Sequence, residues 1–418
     1  MNHVKSEHDI MGKTKIQLLY LLNPNFIALH VLCNIKTAMK SISTNPFLIT
    51  GYQGPDYFCD REKETASLMS ALKNGRNITL ISPRRMGKTG LIKNVFYYIQ
   101  KENKSAACFY LDIFSTQNLQ EFVSLLGRSV LGKLDTLSQS TLKSLFSFFK
   151  SCRPVISADE ITGMPSVTLD FIPERSEETL KEIFTYLNQS GVECYIAIDE
   201  FQQITKYADD PNIEAALRTH IQRCSNAHFV FSGSHRHLMG AMFTSPARPF
   251  YQSVTLINLP PISVDKYAEF CLRHFERASK HLDTLVVTEL YERFNGITSY
   301  MQKVMNILFS MTGTGEICIP SMIDTAINDL LDFSADTYDA LLYQMPEKQR
   351  IVFMAIAAEG KAKAISSGDF VRKYKLQSAS SVSSAVKGLL EKDFITYDKG
   401  IYQVYDQFFQ LWLQRNKL

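Results

Sequence analysis

Short apolar runs alternate with stretches of helical period through the first two thirds of this chain. Ile78 to Ile81 (ITLI), Ala106 to Ile113 (AACFYLDI), Val192 to Ile198 (VECYIAI) and His228 to Phe231 (HFVF) read as buried strands. Strands covered on both faces show such near-continuous runs, and helices between them imply parallel pairing. Helical period follows residue 89. It recurs over 119–150 with Phe122, Leu125, Leu126 and Val130, over Ser176 to Asn188, and from about Ile213 to Gln222 with Arg218. Ser176-Glu177-Glu178-Thr179 has the form of a capping box. Leu68, Met69 and Leu72 mark an earlier helix that Asp60 can cap. Residues 154–173 alternate about Thr162-Gly163-Met164-Pro165, which predicts a hairpin. The expected class is α/β, a parallel sheet with helices on both faces.

The pattern changes at Leu259-Pro260-Pro261. From Ser263 to about Phe333 it is helical throughout, with helices expected at 264–278, 283–294, 298–311 and 320–333. Beyond residue 336 it changes again. Helices are expected over Pro346 to Ala358, from Ser367 through Lys373, and over Ser378 to Lys392. The third carries Val382, Ala385, Val386, Leu389 and Leu390 on one face. Phe394 to Tyr397 and Ile401 to Val404 form a hairpin about Asp398-Lys399-Gly400, and Phe408, Phe409, Leu411 and Trp412 mark a closing helix or strand. Three helices and a hairpin are the pattern of a winged helix-turn-helix. Residues 1–45 carry no clear period and fit no motif. Met39 is a candidate natural start, which would make residues 1–38 a gene-model extension; the alternative is a genuine targeting or docking arm. Four parts result: 1–45, 46–258, 259–335 and 336–418.

Length and composition narrow the class. The 418 residues leave room for two or three domains, and 45% apolar with 21% charged residues is a globular balance. No apolar run reaches the ~18 residues of a membrane span. The nearest, Ile16 to Cys33, is broken by Asn23-Pro24-Asn25. No apolar core leads to a small-residue cleavage site, so a signal peptide is not expected. The cysteines at 33, 59, 108, 152, 194, 224, 271 and 318 form no C-x-x-C pair. That argues against a zinc ribbon or disulfide framework and for a reducing, cytoplasmic setting. The whole chain carries a net +3, while residues 346–418 hold 12 Lys and Arg against 7 Asp and Glu, a local +5. Phosphate attraction is therefore open. The third helix of that region, however, is Ser-rich. Lys387 is its one cation before Lys392, and only Gln377 near its start suits base readout. DNA binding and protein docking both remain readings of this part.

The chemistry gathers at Ser82-Pro83-Arg84-Arg85-Met86-Gly87-Lys88-Thr89, between a strand and a helix. Except for Ser82 at the first glycine, it fits G-x-x-x-x-G-K-[ST], the phosphate-binding P-loop. Gly87 would let backbone approach the phosphates, and successive N–H groups with the helix N-terminus make an anion nest. Lys88 would reach the β- and γ-phosphates, and the Thr89 hydroxyl would ligate Mg²⁺. Some 110 residues on, the strand Val192 to Ile198 ends in Asp199-Glu200. This is the Walker B pattern, with Asp199 on the metal side and Glu200 on the attacking water. Elsewhere two acids at a strand end would be an ordinary solvated end; downstream of a P-loop they are a catalytic pair. His228, His235 and His237 have no carboxylate or Cys at ligand spacing and read as plain polar residues. ATP and Mg²⁺ are the expected ligands.

Phe58 to Glu64, SPRRMGKT, IAIDEFQQI, FSGS and the terminal winged helix carry a resemblance. From about Asn45 to the C-terminus the chain resembles the archaeal-type AAA+ ATPases of the wider STAND-like group. The resemblance implies a slow ATPase acting as a nucleotide-controlled switch. It implies a cradle of Ser82, Pro83, Arg84, Arg85, Met86, Gly87, Lys88, Thr89 and Gly90, with Phe58 and Arg61 in the segment over the adenine. Ser234 would be sensor 1 beside the γ-phosphate, and the bundle at 259–335 the helical lid. Relatives carry a Gly-x-Pro turn where Asn295 to Gln302 stands; here Ile297 and Thr298 occupy the place of that proline. Arg248, in the Pro-flanked loop Ser245 to Tyr251, is the candidate charge sensor, with Arg236 as a second. Origin-recognition-type proteins share the layout. An ATP-regulated DNA-binding initiator or regulator is therefore the alternative function, and a scaffold for a protein partner a third.

Overall fold

The computed structural model describes residues 45–134, 148–158, 165–208, 210 and 212–417. Residues 1–44, and the turn expected at Thr162 to Met164, lie outside them. Phe47 to Leu418 forms one unit, and its elements follow in chain order. Helix α1 (Glu62–Lys73) opens on Arg61, not Asp60. Asp60 and Arg61 both adopt left-handed backbone, at φ 53° and 76°, and no side chain caps the helix. The double turn instead sends the Arg61 guanidinium inward. Its Nη1 donates to Glu64 Oε1 (2.8 Å) and its Nη2 to the Pro260 carbonyl (2.7 Å).

Strand β1 (Ile78–Ile81) leads to α2 (Lys88–Glu102), then β2 (Ala107–Asp112) and α3 (Leu119–Leu134). Strands β3 (Cys152–Ala158) and β4 (Pro165–Phe171) form the expected antiparallel hairpin, from Cys152 opposite Phe171 to Ala158 opposite Pro165. Helix α4 (Ser176–Gln189) begins without its capping box. A 3-10 turn, Pro173–Arg175, runs straight into it, so Ser176 is already helical and Glu178 pairs with Arg175 instead. Strand β5 (Cys194–Asp199), α5 (Ile213–Arg223), β6 (Ala227–Gly233), α6 (Arg236–Thr244) and β7 (Thr255–Asn258) complete this part.

The five strands lie in the order β2-β5-β6-β1-β7, every neighbouring pair parallel. Period-two alternation divides their side chains between two layers. Tyr195 and Ala197 pack with Leu68, Leu72, Leu91 and Val95 of α1 and α2. Ile196 and Ile198 face Phe122, Ile183, Leu187 and Leu217 of α3, α4 and α5. All strands point the same way, so the loop after β1 and the ends of β5 and β6 meet at one edge. That carboxyl edge is where open α/β sheets bind ligands.

The next segment holds α7 (Val264–Arg277), β8 (His281–Leu282), α8 (Thr284–Arg293), α9 (Thr298–Met311), β9 (Ile317–Cys318) and α10 (Ile323–Gln344). Three helices fall within a residue of expectation. The fourth runs eleven residues past Phe333, because Leu331, Tyr338 and Leu342 continue the buried stripe and no breaker intervenes before Pro346. The chain ends in α11 (Glu347–Glu359), β10 (Ala362–Lys363), α12 (Gly368–Lys373), α13 (Ala379–Glu391), β11 (Ile395–Asp398), β12 (Ile401–Val404) and α14 (Gln407–Asn416). Its small sheet has the order β10-β12-β11. Helices α7 to α14 share one apolar core, in which Phe294 meets Phe408 (5.4 Å between centroids) and Tyr338 stacks on Phe409 (4.6 Å). Among the described residues no helix is long and apolar enough to cross a membrane.

Candidate functional site

The loop after β1 is built by two left-handed residues, Arg85 (φ 69°) and Gly87 (φ 87°). Nothing lies within 4 Å of a Cβ added at Gly87, so that glycine is needed for its backbone angle rather than for space. Ser82, in the place of the first glycine, is fully buried, and its hydroxyl donates to the Pro83 carbonyl at 3.1 Å. Met86 is sunk into the layer below and anchors the loop. At Gly90 the limit is space: an added Cβ would stand 2.9 Å from the Phe58 ring. Phe58 thereby lies on the first turn of α2, and Tyr52 packs edge-on to it at 6.0 Å. Tyr52 also donates to Asn94 Oδ1 at 2.7 Å, tying the segment before α1 to α2.

Lys88 is buried, and its Nζ donates to the Ser82 and Pro83 carbonyls, each at 3.1 Å. Burial lowers its pKa, against the pull of Asp199 and Glu200. Across the cleft Asp199 accepts four hydrogen bonds. The Glu200 N–H (3.0 Å) and the Ser232 hydroxyl reach Oδ1. The Thr89 hydroxyl (3.2 Å) and the Tyr110 hydroxyl reach Oδ2. Glu200 turns away from the strand in left-handed conformation (φ 54°). Its Oε2 accepts from Ser234 Oγ (2.8 Å) and from Gln202 Nε2. Ser234 in turn accepts from Arg84 Nε at 3.1 Å, and Arg84 stands 3.8 Å from Glu200 Oε1.

A cleft of about 360 Å³ opens between these groups. Arg84 to Gly90, Asp199 and Glu200 line its polar end; Leu48, Ile49, Tyr52, Phe58 and Ile262 line its apolar end. The first turn of α9 closes the rim, where the Ser299 N–H donates to the Arg85 carbonyl at 3.1 Å. The Thr298 hydroxyl, in the same wall, is buried without a hydrogen-bond partner. Such an orphan suits a ligand with polar atoms. The N–H groups at the start of α2, which have no carbonyl of an earlier helical turn to reach, suit an anion. Thr89 and Asp199 are an all-oxygen pair suited to Mg²⁺, which takes one or two protein ligands and completes its shell with phosphate and water. Among the described residues no group of three His, Cys, Asp or Glu could hold a metal by itself.

The two loop arginines reach past the cleft to the C-terminal part. Arg84 Nη1 lies 3.1 Å from Asp393 Oδ2, and its guanidinium stands over the rings of Phe114 and Tyr405. Arg85 Nη2 lies 2.9 Å from Asp406 Oδ2, while its Nη1 donates to the Tyr300 hydroxyl. Burial works against the Arg85 charge, but Tyr300 and Asp406 outweigh it and leave its pKa raised. Asp406 also caps α14, its Oδ1 accepting from the Phe408 N–H at 3.0 Å.

The structure thus gathers Ser82 to Gly90, Asp199, Glu200, Ser234 and Phe58 at one edge. Arg61 lines the cleft, but its guanidinium is engaged with Glu64 and Pro260. Arg248 does not join them. It pairs with the buried carboxylate of Glu214, its neighbour across the α5 side of the core. Arg236 lines a second cleft of about 920 Å³, which Arg84, Arg85 and Asp393 also border. His228 stands 3.8 Å from Glu193, and His235 4.0 Å from Asp393. Sequence reasoning missed Tyr110, Ser232, Gln202, Tyr300, Asp393 and Asp406. Tyr110 and Ser232 were signalled only as hydroxyls inside apolar strands. Gln202 lies two residues from Glu200 and carries no signal of its own, while the pairings of Tyr300, Asp393 and Asp406 with the loop arginines join residues far apart in the chain.

Comparison with known proteins agrees with this geometry. A family model described as an ATPase domain predominantly from Archaea matches residues 58–304, and one described as a probable winged helix domain matches residues 336–415. No curated protein matches the chain. Among solved structures, the Walker-type ATPase PABY2304 of Pyrococcus abyssi is similar, with a TM-score of 0.59 at 17% identity over 88% of this chain and 99% of that one. The ORC2 protein of Aeropyrum pernix, in ADPNP-ADP complexes, is similar with a TM-score of 0.53 at 15% identity over 88% and 97%. The ORC1 protein of Aeropyrum pernix, in complex with DNA, follows at 0.51 and 14% over 87% and 94%. Sheet and loop therefore have the AAA+ P-loop fold, and a winged helix domain follows them. By its family match, the chain belongs to the ATPase domains found predominantly in Archaea.

Proposed function

We propose that this protein is a slow Mg²⁺-dependent ATPase acting as a nucleotide-controlled switch, with the winged helix as its output. The observation that carries the reading is the double role of Arg84 and Arg85. Both line the cleft that we propose as the phosphate cradle, and both are paired with carboxylates of the C-terminal part, Asp393 and Asp406. A triphosphate would compete with those carboxylates for the same guanidinium groups. Phosphate contact and release of the winged helix would then be coupled, through different contacts in the two states.

The remaining residues supply the chemistry. Lys88 would exchange the Ser82 and Pro83 carbonyls for phosphate oxygens. Mg²⁺, held by Thr89 and Asp199, would neutralise charge on the phosphates when bound. Glu200 would orient the attacking water and take its proton, while Ser234, already bonded to Glu200 and Arg84, reports the γ-phosphate position. Phe58 and the apolar end of the cleft suit a base. Cys59, Cys108, Cys194, Cys224, Cys271 and Cys318 are buried thiols, which fits a cytoplasmic setting.

Lys88→Ala should abolish ATP binding measured by calorimetry. Glu200→Gln should keep binding and lose phosphate release. Turnover of Glu200→Gln at the wild-type rate would overturn the assignment of the catalytic carboxylate.

A second reading is an ATP-regulated DNA-binding regulator, favoured by the local +5 balance of residues 346–418. The similar Aeropyrum pernix ORC1 structure is a complex with DNA. Gel shifts with and without ATP separate the readings. No duplex binding at ~50 mM salt, where phosphate contacts are strong, would remove the second.

A further inference from the structure

Asp199 is satisfied on all sides, yet its four donors are not equivalent. A carboxylate has about four lone-pair sites. Here two, on Oδ1, are taken by the Glu200 N–H and Ser232; these come from β5's own continuation and from neighbouring β6. The two on Oδ2 are taken by Thr89 and Tyr110, which come from α2 and β2. Tyr110 and Thr89 also lie 3.2 Å apart, so three oxygens form a closed triangle at the place proposed for the cation.

The members of that triangle differ in mobility. The Tyr110 oxygen is placed by a rigid ring on a strand whose residue 110 is in register with Ala197 of β5. Lys93 Nζ covers the ring at 5.4 Å from its centroid. Thr89 sits in the first turn of α2, and its hydroxyl hydrogen can turn about the C–O bond. If Thr89 turns, its own lone pair and one lone pair of Asp199 Oδ2 are offered in the same direction. Tyr110 keeps the other lone pair of Oδ2 occupied and so fixes the carboxylate's rotation.

We infer that Tyr110 is a positioning residue for the cation end of the site, holding Asp199 so that Oδ2 and Thr89 face one ion together. The inference rests on the Mg²⁺-ATP reading above and deepens it. Groups that orient a metal ligand from behind are worth about 10–100-fold in metal affinity.

The test uses the full chain with Tyr110→Phe, which keeps the ring and removes only the hydroxyl. The probe is a non-hydrolysed β,γ-imido ATP analogue with Mn²⁺, followed by electron paramagnetic resonance, and with Mg²⁺, followed by thermal shift. We expect analogue affinity in EDTA to stay within about twofold, and half-saturating Mg²⁺ and Mn²⁺ to rise ~10–100-fold. Ser232→Ala, which removes a donor from Oδ1, should move the metal requirement less. An unchanged metal requirement in Tyr110→Phe would reduce Tyr110 to packing. A lower requirement would make it a competitor of the ion, and equal shifts in both variants a general stabiliser of the carboxylate. Each of these overturns the inference while leaving ATP binding intact. A wild-type chain that binds neither analogue nor metal would sink the functional reading as well.

Discussion

Neutralising Asp393 and Asp406 should make this protein bind ATP more tightly. The two carboxylates hold Arg84 at 3.1 Å and Arg85 at 2.9 Å, with side chains that are 35% and 29% exposed. Fully exposed pairs are worth about 0.2–1 kcal/mol. Hydrogen bonds to charged groups reach about 1.5–3 kcal/mol when better shielded. Partial exposure places each contact near ~1 kcal/mol, a factor of about five in an equilibrium constant. If the paired form is the one that disfavours phosphate, apparent affinity scales with the fraction of molecules in the released form. Asp393→Asn or Asp406→Asn should then lower the ATP dissociation constant about fivefold, and the double variant up to about thirtyfold if the two act independently. Asparagine is the proper replacement at 406, because it caps a helix as well as aspartate does and so spares the start of α14. The assay is calorimetric titration of the imido analogue at low and high salt. High salt should shrink the difference between wild type and variants, since these pairs are partly screened. Unchanged or weaker binding in both single variants would refute the competition, and would mean that the carboxylates aim the arginines at phosphate rather than withhold them.

Two further outcomes can be stated. Gly90→Ala places a methyl group 2.9 Å from the Phe58 ring, so the usual gain of about 1 kcal/mol for alanine in a helix should be reversed into a loss of about 1–3 kcal/mol in urea denaturation. Analogue binding should weaken with it. Arg248→Ala should leave ATP turnover unchanged and cost stability, because it strands the buried Glu214. Burial raises the Glu214 pKa while Arg248 lowers it, with burial prevailing. A carboxyl with a raised folded pKa loses stability as pH rises from its unfolded value through its folded one, and removing Arg248 enlarges that loss. The penalty measured by denaturation should therefore be larger at pH 8 than at pH 5.

The parallel sheet was legible because Ile78 to Ile81 and Cys194 to Ile198 are buried on both faces, and that state leaves a simple apolar record. The phosphate loop was legible because its chemistry demands fixed residue types at fixed spacing. Helix caps were less so. Asp60 and Ser176 have side chains that can cap, but the backbone turns differently at Asp60 and Arg61 and ahead of Ser176, and cap identity follows backbone angles. Arg248 points to Glu214 and not to the phosphate loop for another reason: a proline-flanked loop can hold an arginine rigidly without saying toward what. The pairings of Arg84 with Asp393 and Arg85 with Asp406 span 309 and 321 positions. No periodicity encodes such contacts. They depend on how the sheet and the C-terminal helices pack.

Helix α10 has a mechanical consequence. It is 22 residues long and begins in the bundle that touches the phosphate loop through Ser299. It ends against α14, where Tyr338 stacks on Phe409. At 1.5 Å per residue such a rod spans about 33 Å. With one apolar core along it and no proline or glycine inside, it has nowhere to bend. A tilt of ~10° at the rim of the cleft would sweep its far end through roughly 6 Å, from its length and rise alone. The lever would magnify a sub-ångström change at the phosphates into a displacement as large as a helix turn. The bundle that carries it joins the sheet through Leu259-Pro260-Pro261, where Arg61 Nη2 donates to the Pro260 carbonyl. Glycines inserted in the middle of α10 would soften the rod, and should disconnect the winged helix from nucleotide while leaving ATP binding in place.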